Sequence, residues 1–349
     1  PLFNIKIIRN KNLLFHKCRR VQRNQLLFIV MNPNSLKLIF MGSPEYTLPI
    51  IKELFNSNHS VLAVFTEPDK LIKRKNVTVE NPIKAYCEQT NIPVFQFNKH
   101  NTEAIFQKVE KIQPEAAIIA SYGILLPKKI LDIPPLGCIN VHPSLLPKYR
   151  GPSPIPTALL NEDYNSGVSI MKLDAGMDTG PIIAQEKFLI DSKQNASDLT
   201  KIFFEIGGRL IKKILPDFAS GKIKAIPQDN QKATITTKIK KTDGLIDWSN
   251  TSQYIKNQIR AFTPWPGTYT YWQGRRIIIH EGNEYNNNSK GKSTPGMIIE
   301  LPNQSIGVVT STNFFELKKL QLEGKKVLSI SEFIIGYPNL INSYFENKK

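Results

Sequence analysis

The first two hundred residues alternate short apolar runs with segments of helical spacing. Four runs are almost continuously apolar, and they are "LKLIF" (36–40), "VLAVF" (61–65), "AAIIA" (116–120) and "CINV" (138–141). Runs of this kind are typical of strands that are buried on both faces. Amphipathic segments such as "LPIIKELF" (48–55) lie between them. Strands that alternate with helices predict a mostly parallel, Rossmann-like α/β sheet.

The last third of the chain has a different pattern. Short runs rich in β-branched and aromatic residues, such as "TYTYW" (268–272) and "SIGVVTS" (305–311), are separated by Gly, Asn and Pro. This spacing predicts a small C-terminal β-barrel, OB-like in architecture, as a second domain. The predicted segments are a basic extension outside the fold (1–34), the sheet domain (35–218), a linker (219–235) and the β-barrel domain (236–345).

The net charge of +17 is unusual for a globular chain of 349 residues. A surface this basic favours a polyanionic partner, and a general excess of lysine in the source proteome is the alternative explanation. The three cysteines, Cys18, Cys87 and Cys138, have no CxxC spacing. They favour a reducing compartment and argue against a zinc site or a disulfide framework. The longest apolar runs are too short to cross a bilayer, so we expect no membrane partner.

The first thirty residues contain seven Lys or Arg and no Asp or Glu. This composition is typical of a mitochondrial presequence, although the segment has no serine. Met31 stands just before the first predicted strand, so translation from upstream of the true start is a second explanation. We expect a bacterial cytoplasmic protein, or a mitochondrial matrix protein if residues 1–30 are a presequence.

Asn140 and His142 stand two positions apart at the end of a predicted strand. In a strand this spacing points both side chains to the same face, so an amide and an imidazole can converge on one small group. Ligand sites of parallel sheets lie beyond the carboxyl ends of the strands, where both residues fall. The alternative interpretation is a polar strand end whose hydrogen bonds are satisfied within the fold.

A second polar stretch, "MKLDAGMDTGPII" (171–183), places Asp174 and Asp178 in a glycine-bracketed loop between two predicted strands. Asp and Gly are ordinary turn residues, so a purely structural role is the alternative. A functional carboxylate here could orient His142 and stabilise its protonated form. Its distance of 36 positions from His142 suits a loop that returns beside the strand end.

Several common catalytic motifs are missing from the sequence. There is no GxxxxGK[ST] phosphate loop, no GxSxG nucleophile elbow and no HExxH zinc motif. The stretch that begins at Gly42 does not make GxGxxG, so the predicted sheet does not indicate a dinucleotide cofactor.

Four stretches resemble the folate-dependent formyltransferase family, and within it the methionyl-tRNA formyltransferases. They are "ASYGILLP" (120–127), "HPSLLPKYRG" (142–151), "LDAGMDTGP" (173–181) and "IRAFTPWPGTY" (259–269). These motifs occur in one order, and the resemblance covers roughly residues 36–340. It implies the formyltransferase fold for the sheet domain.

The resemblance implies transfer of the formyl group of 10-formyltetrahydrofolate to the α-amine of methionyl initiator tRNA, for translation initiation. It implies Asn140, His142 and Asp178 as the catalytic residues, and no metal. Attack of the amine on the formyl carbonyl creates an oxyanion, which Asn140 and His142 would stabilise. The residues implied to line the pterin pocket are Tyr122, Gly123, Ile124, Leu125, Leu126, Ser144, Leu145, Leu146 and Pro147.

The resemblance also implies contacts with tRNA. The loop "PDKLIKRKNVTVENP" (68–82) lacks the glycines that the family has there, and Arg74 takes the position of the arginine that enters the acceptor stem. A solvated charged turn is the alternative for this loop. We expect a monomer without an obligate protein partner. The implied tRNA-binding residues are Lys73, Arg74, Lys75, Lys240 and Lys241.

Two other functions fit part of the sequence. A formyltransferase that acts on a small amine, such as an amino sugar, would use the same three catalytic side chains. It would bind tRNA no better than any other polyanion. An RNA-binding protein without catalysis would use the basic surface, but it would leave the three side chains unexplained.

Overall fold

The structure is a computed structural model that describes residues 14–17, 28–72, 77–286 and 294–346. The chain forms two compact units, each assembled from three separate stretches. The first unit comprises Pro1–Arg150, Gly167–Lys187 and Lys201–Thr234, and the second comprises Gly151–Ser166, Phe188–Thr200 and Ile235–Lys349.

Part of the predicted basic extension forms a small sheet. Leu14–Lys17 (β1) pairs antiparallel with Phe28–Met31 (β2). Residues 1–13 and 18–27 lie outside the described residues. The extension and the domain boundaries therefore stay predictions.

A seven-stranded sheet is the core of the first unit. The strands of this sheet are β3 (Lys37–Gly42), β4 (Ser60–Thr66), β7 (Val94–Gln96), β8 (Ala116–Ala120), β9 (Cys138–His142), β10 (Asn165–Lys172) and β11 (Ile182–Leu189). Their order across the sheet is β11-β10-β9-β8-β3-β4-β7. The pairs β3–β4, β3–β8, β4–β7 and β8–β9 are parallel, and β9–β10 is antiparallel. The predicted mostly parallel sheet is therefore confirmed. A separate hairpin consists of β5 (Lys70–Ile72) and β6 (Val77–Val79).

Helices lie between these strands along the chain. They are α1 (Leu48–Phe55), α2 (Pro82–Cys87), α3 (Thr102–Ile112), α4 (Lys128–Leu131), α5 (Pro154–Leu160) and α6 (Ala196–Ala219), and short 3₁₀ turns form at Glu45–Thr47 and Asn230–Lys232. One apolar cluster joins Ile39 and Ile119 of the sheet to Ile105 and Val109 of α3. Phe40, which points to the opposite face from Ile39, is also fully buried. Continuous apolar strands are thus explained by burial on both faces.

Gly207 lets α6 pack closely against the sheet. A Cβ at this position would lie 2.4 Å from Cγ1 of Val141 in β9 and 3.6 Å from Cγ1 of Val168 in β10. Glycine normally weakens the interior of a helix, so its presence here reflects this close approach. Val141 therefore faces α6, whereas Asn140 and His142 alternate with it and point to the other face of β9.

Replacing Gly207 with valine should lower the free energy of unfolding by about 1–3 kcal/mol, because the added atoms overlap Val141 in a close-packed core. Urea unfolding followed by circular dichroism measures this change. Arg209→Val, an exposed position on the same helix, is the matched control and should change stability much less. Equal unfolding midpoints for the two variants would contradict the packing described for Gly207.

The second unit contains an antiparallel sheet of six strands. The strands are β12 (Tyr269–Trp272), β13 (Arg275–Tyr285), β14 (Ile298–Glu300), β15 (Ile306–Val309), β16 (Phe314–Leu322) and β17 (Val327–Ser329). Their order across the sheet is β12-β13-β16-β15-β14, with β17 paired to β16. Helices α7 (Ser252–Ala261) and α8 (Ile330–Gly336) belong to the same unit, which also has short 3₁₀ turns at Lys241–Gly244 and Pro338–Leu340.

Residues 344–346 bring the two edges of this sheet towards closure. Glu346 bridges to Tyr271 in edge strand β12, and Tyr344 bridges to Met297 beside edge strand β14. Between them Phe345 is buried and stacks on Trp248, with ring centroids 5.4 Å apart. The sheet is therefore curled as a small barrel, which confirms the predicted architecture of the second domain.

Candidate active site

His142 lies at the end of β9, an interior strand of the seven-stranded sheet. Cys138, Asn140 and His142 occupy alternate positions and so share one face of the strand. Cys138 belongs to the apolar cluster, Asn140 is half-buried and His142 is 4% exposed. Asn140 pairs with Ile119 of β8, and His142 pairs with Ser169 of β10. The face thus changes from apolar to polar where the strand ends, as expected from the sequence.

The imidazole of His142 lies between two acceptor groups. Its Nδ1 is 3.6 Å from a carboxylate oxygen of Asp178, and its Nε2 is 2.9 Å from the backbone carbonyl oxygen of Tyr149. A carbonyl cannot donate a hydrogen bond, so Nε2 carries the proton in this contact. An imidazolium, with a proton on each nitrogen, would satisfy both acceptors. To reach a substrate oxygen, the ring must exchange one of these partners.

The loop that carries Asp178 is held in shape by its own polar groups. Asp174 accepts hydrogen bonds from the backbone N–H of Gly176, at 3.0 Å, and from the hydroxyl of Thr179, at 2.7 Å. A Cβ at Gly180 would lie only 1.8 Å from the carbonyl oxygen of Lys172, so glycine is required there. Asp174 therefore shapes the loop, and Asp178 is the carboxylate beside the imidazole.

Two segments predicted to line the pterin pocket follow neighbouring strands of the sheet. Residues 122–126 come directly after β8, where the side chains of Tyr122, Ile124 and Leu126 are buried and that of Leu125 is 85% exposed. The Tyr122 hydroxyl is buried and has no hydrogen-bond partner within the described ranges. Burial, and then the nearby Glu67 carboxylate, raise the pKa of this phenol above its usual value.

The second segment, residues 144–147, follows β9. The Ser144 hydroxyl donates to the carbonyl oxygen of Lys148 at 2.7 Å, and the hydroxyl of Ser169 donates to the carbonyl oxygen of Ser144 at 2.6 Å. The N–H of Leu146 donates to that same Ser169 hydroxyl at 3.0 Å. Both segments lie at the carboxyl ends of adjacent parallel strands, which is where such sheets bind ligands.

Two of the five residues predicted to bind tRNA, Lys240 and Lys241, lie among the described residues. Lys73, Arg74 and Lys75 lie outside the described residues. The hairpin β5–β6 on either side of them is held at its base by Lys84, whose ammonium is 3.1 Å from Asp69 and 3.0 Å from Glu80. In the second unit, Lys240 and Lys241 are exposed.

This base is a network rather than a single ion pair. Asp69 also accepts hydrogen bonds from the Asn81 backbone, at 3.0 Å, and from the Gln96 amide, at 2.8 Å. These hydrogen bonds, together with Lys84, hold the pKa of Asp69 below its usual value. The carboxylates of Glu80 and Asp69 in turn raise the pKa of Lys84. Both ends of the hairpin β5–β6 are therefore fixed to Lys84 in α2.

Two family models match the chain. The formyl transferase model matches residues 36–215, and the formyl transferase C-terminal domain model matches residues 238–338. The protein named methionyl-tRNA formyltransferase in Geotalea daltonii is 35% identical over 302 residues, which are 86% of this chain and 96% of that protein. This chain belongs to the methionyl-tRNA formyltransferase family. A protein of the same name in Carboxydothermus hydrogenoformans is 36% identical over 311 residues, covering 89% of this chain and all of that protein.

Solved structures with the fold of this member of the methionyl-tRNA formyltransferase family include two more distant proteins. WlaRD, a sugar 3N-formyl transferase, has a TM-score of 0.61 at 20% identity and covers 83% of this chain and 99% of its own. HypX from Aquifex aeolicus, solved with tetrahydrofolic acid, has a TM-score of 0.59 at 14% identity over 88% of this chain. This chain spans about half the length of HypX, since the match covers 48% of it. These likenesses show the fold.

Within the residues that the structure describes, His, Cys, Asp and Glu do not gather in threes that could hold a metal ion. No helix in the same ranges combines the length and the hydrophobicity that a membrane crossing requires.

Three residues near the imidazole were not found by sequence reasoning. Tyr149 supplies the carbonyl beside His142, Arg150 follows it, and Gln228 contacts the Asp178 loop. Gln228 falls in the segment predicted to be a linker. Its stretch has neither helical nor strand periodicity, so a single sequence contains no signal that would bring it back to the site.

Proposed function

We propose that the protein transfers the formyl group of 10-formyltetrahydrofolate to the α-amino group of methionyl initiator tRNA, with Asn140, His142 and Asp178 as the catalytic residues. The family matches over both domains support the reaction. The observation that carries the assignment of the site is the approach of Asp178 to within 3.6 Å of the His142 imidazole at a strand end.

The reaction forms one C–N bond and breaks another. The free amine attacks the formyl carbon, the bond from that carbon to the folate nitrogen breaks, and a proton moves in net terms from the amine to the folate nitrogen. As the amine attacks, negative charge develops on the formyl oxygen. Donors fixed in a site of low water content stabilise such a charge strongly. We assign this role to the N–H groups of His142 and Asn140.

Asp178 has two roles in this scheme. Its charge stabilises the imidazolium form of His142, because opposite charges a few ångströms apart attract strongly in a partly buried site. Its carboxylate also accepts the proton that the amine loses, through water, and returns it for the departing folate nitrogen. The contact of His142 Nε2 with the Tyr149 carbonyl is the one that the substrate oxygen would replace.

The basic surface is assigned to the tRNA. Lys73, Arg74 and Lys75 follow β5 in the sequence, and both ends of the hairpin β5–β6 are fixed at Lys84. Ion pairs with phosphates account for most of the non-specific affinity of proteins for nucleic acid. Lys240 and Lys241 are exposed and add positive charge in the second domain. We also propose a monomer in the bacterial cytoplasm, with the mitochondrial matrix as the alternative compartment.

The full chain, incubated with 10-formyltetrahydrofolate and charged initiator tRNA, should produce formyl-methionine. Charged elongator Met-tRNA should be a much poorer acceptor, and methionine amide, a small amine without tRNA, poorer still. Acid electrophoresis of the charged tRNA and chromatography of the released amino acid measure the products. Transfer to methionine amide as fast as to initiator Met-tRNA would favour a small-amine formyltransferase and contradict the proposal.

A further inference from the structure

The stretch that follows α6 returns to the loop that carries Asp178. Ile226 bridges antiparallel to Ile182, with both N···O distances at 2.8 Å. The side-chain amide of Gln228 then donates to the backbone carbonyl oxygens of Asp178, at 2.8 Å, and Gly180, at 2.7 Å. One amide group thus holds the backbone at the candidate carboxylate and two residues beyond it.

The same stretch holds the loop on the other side of His142. The Gln228 oxygen accepts a hydrogen bond from Nε of Arg150 at 3.0 Å. The Thr234 hydroxyl accepts from the backbone N–H of Tyr149 at 2.8 Å, and its carbonyl accepts from that of Arg150 at 2.9 Å. These bonds fix the peptide whose carbonyl faces the imidazole.

The contacts close a ring around the imidazole. His142 approaches Asp178 through Nδ1, the Asp178 carbonyl is held by Gln228, and Gln228 accepts from Arg150. Arg150 is joined by a peptide bond to Tyr149, whose carbonyl returns to Nε2 of His142. Arg150 is 6% exposed, so this part of the ring is shielded from water. Within this ring, the side chain of Gln228 contacts both the loop that carries Asp178 and the side chain of Arg150.

The backbone at both positions beside the imidazole is in an uncommon conformation. Asp178 has φ of +54° and Tyr149 has φ of +63°, in the left-handed region that side chains disfavour. Such conformations persist where surrounding contacts over-determine them, and they concentrate at functional sites. Here both are bound by the one stretch, Asp178 through Gln228 and Tyr149 through Thr234.

We propose that Gln228 is a positioning residue for formyl transfer, which sets the Asp178 carboxylate against the His142 imidazole by holding the Asp178 and Gly180 carbonyls. The inference rests on the proposed function. Gln228 acts through Asp178 and does not touch the substrate. Losing its two donated hydrogen bonds lets the loop relax, and a shift of about 1 Å in a catalytic group can lower a rate by up to roughly 100-fold.

Gln228→Glu tests this directly. The carboxylate keeps the acceptor for Arg150 Nε but cannot donate to the two carbonyls, and it repels them. We expect kcat for formylation of initiator Met-tRNA to fall about 10- to 100-fold while KM for the tRNA stays within a few-fold. Gln228→Ala, which adds no repulsion, should show the same pattern with a smaller loss.

Asn230→Ala is the matched control. Asn230 lies in the same stretch, and its side-chain oxygen accepts a hydrogen bond from Nη2 of Arg150 at 2.9 Å, whereas Gln228 accepts from Nε. This variant should keep both kcat and KM for the tRNA within a few-fold of the unsubstituted protein. Near-ultraviolet circular dichroism gives the folded fraction to which all rates are normalised.

Several results would overturn the proposal. They are an unchanged kcat in folded Gln228→Glu, a KM for the tRNA that changes as much as kcat, or an equal loss of kcat in Asn230→Ala. Failure of Gln228→Glu to fold would also overturn it, because the contact would then serve general stability. Each is distinct from failure of the proposed function, because in that case the unsubstituted protein would not formylate Met-tRNA.

Discussion

Replacing His142 with alanine should lower the single-turnover rate of formyl transfer by about 10²–10³-fold. The imidazole is the buried side chain at the end of β9 that lies beside the Asp178 carboxylate. Its removal takes away a donor aimed at the charge that develops on the formyl oxygen. The affinity for Met-tRNA should change only a few-fold, because the basic surfaces are untouched. Rapid-quench formylation and filter binding measure the two quantities separately.

His100→Ala is the matched control for this prediction. His100 is exposed on the first domain, and its backbone N–H donates to the side-chain oxygen of Asn98. Its replacement should leave both the rate and the affinity unchanged. If His142→Ala retained most of the rate, the oxyanion role assigned to the imidazole would be wrong.

Replacing Asp178 with asparagine should lower kcat by about 10²–10⁴-fold, the range typical of a lost general acid or base. Asparagine keeps the shape of the side chain but removes the charge that lies 3.6 Å from Nδ1 of His142. The backbone carbonyl that accepts from Gln228 is unaffected, so the loop should keep its conformation. Formylation of initiator Met-tRNA under saturating substrates measures the loss.

Asp217→Asn controls for the loss of one negative charge in the same unit. Asp217 forms an exposed ion pair with Lys222 at 3.1 Å, and exposed pairs contribute little to stability. Its activity should match that of the unsubstituted protein. A fully active Asp178→Asn variant would remove the carboxylate from the mechanism and leave His142 and Asn140 alone.

The sheet and the polar end of β9 were predictable because they depend on local pattern. Continuous apolar runs identify strands that are buried on both faces, as Ile39 and Phe40 show by facing opposite sides. The spacing of Asn140 and His142 places them on one face whatever the rest of the chain does. The pairing of His142 with Asp178 needed more than pattern, and it was suggested by the family resemblance rather than by the residues alone.

The supporting contacts were not predictable because they are made between distant stretches without periodicity. Gln228 meets Asp178 across 50 positions, and Thr234 meets Tyr149 across 85. Neither residue type is distinctive, since glutamine and threonine are common on protein surfaces. The segment 219–235 therefore has the sequence pattern of a linker, and its hydrogen bonds to the loops on either side of His142 are visible only in three dimensions.

The closure of the second-domain sheet by residues 344–346 has a consequence for synthesis of the protein. A ribosome adds these residues after every strand that they join, so a nascent chain exposes the outer edges of β12 and β14 until they emerge. Unpaired edges can recruit strands from neighbouring polypeptides. A nascent chain on a polysome is thus open to such pairing from the synthesis of β12 and β14 until residues 344–346 have left the ribosome.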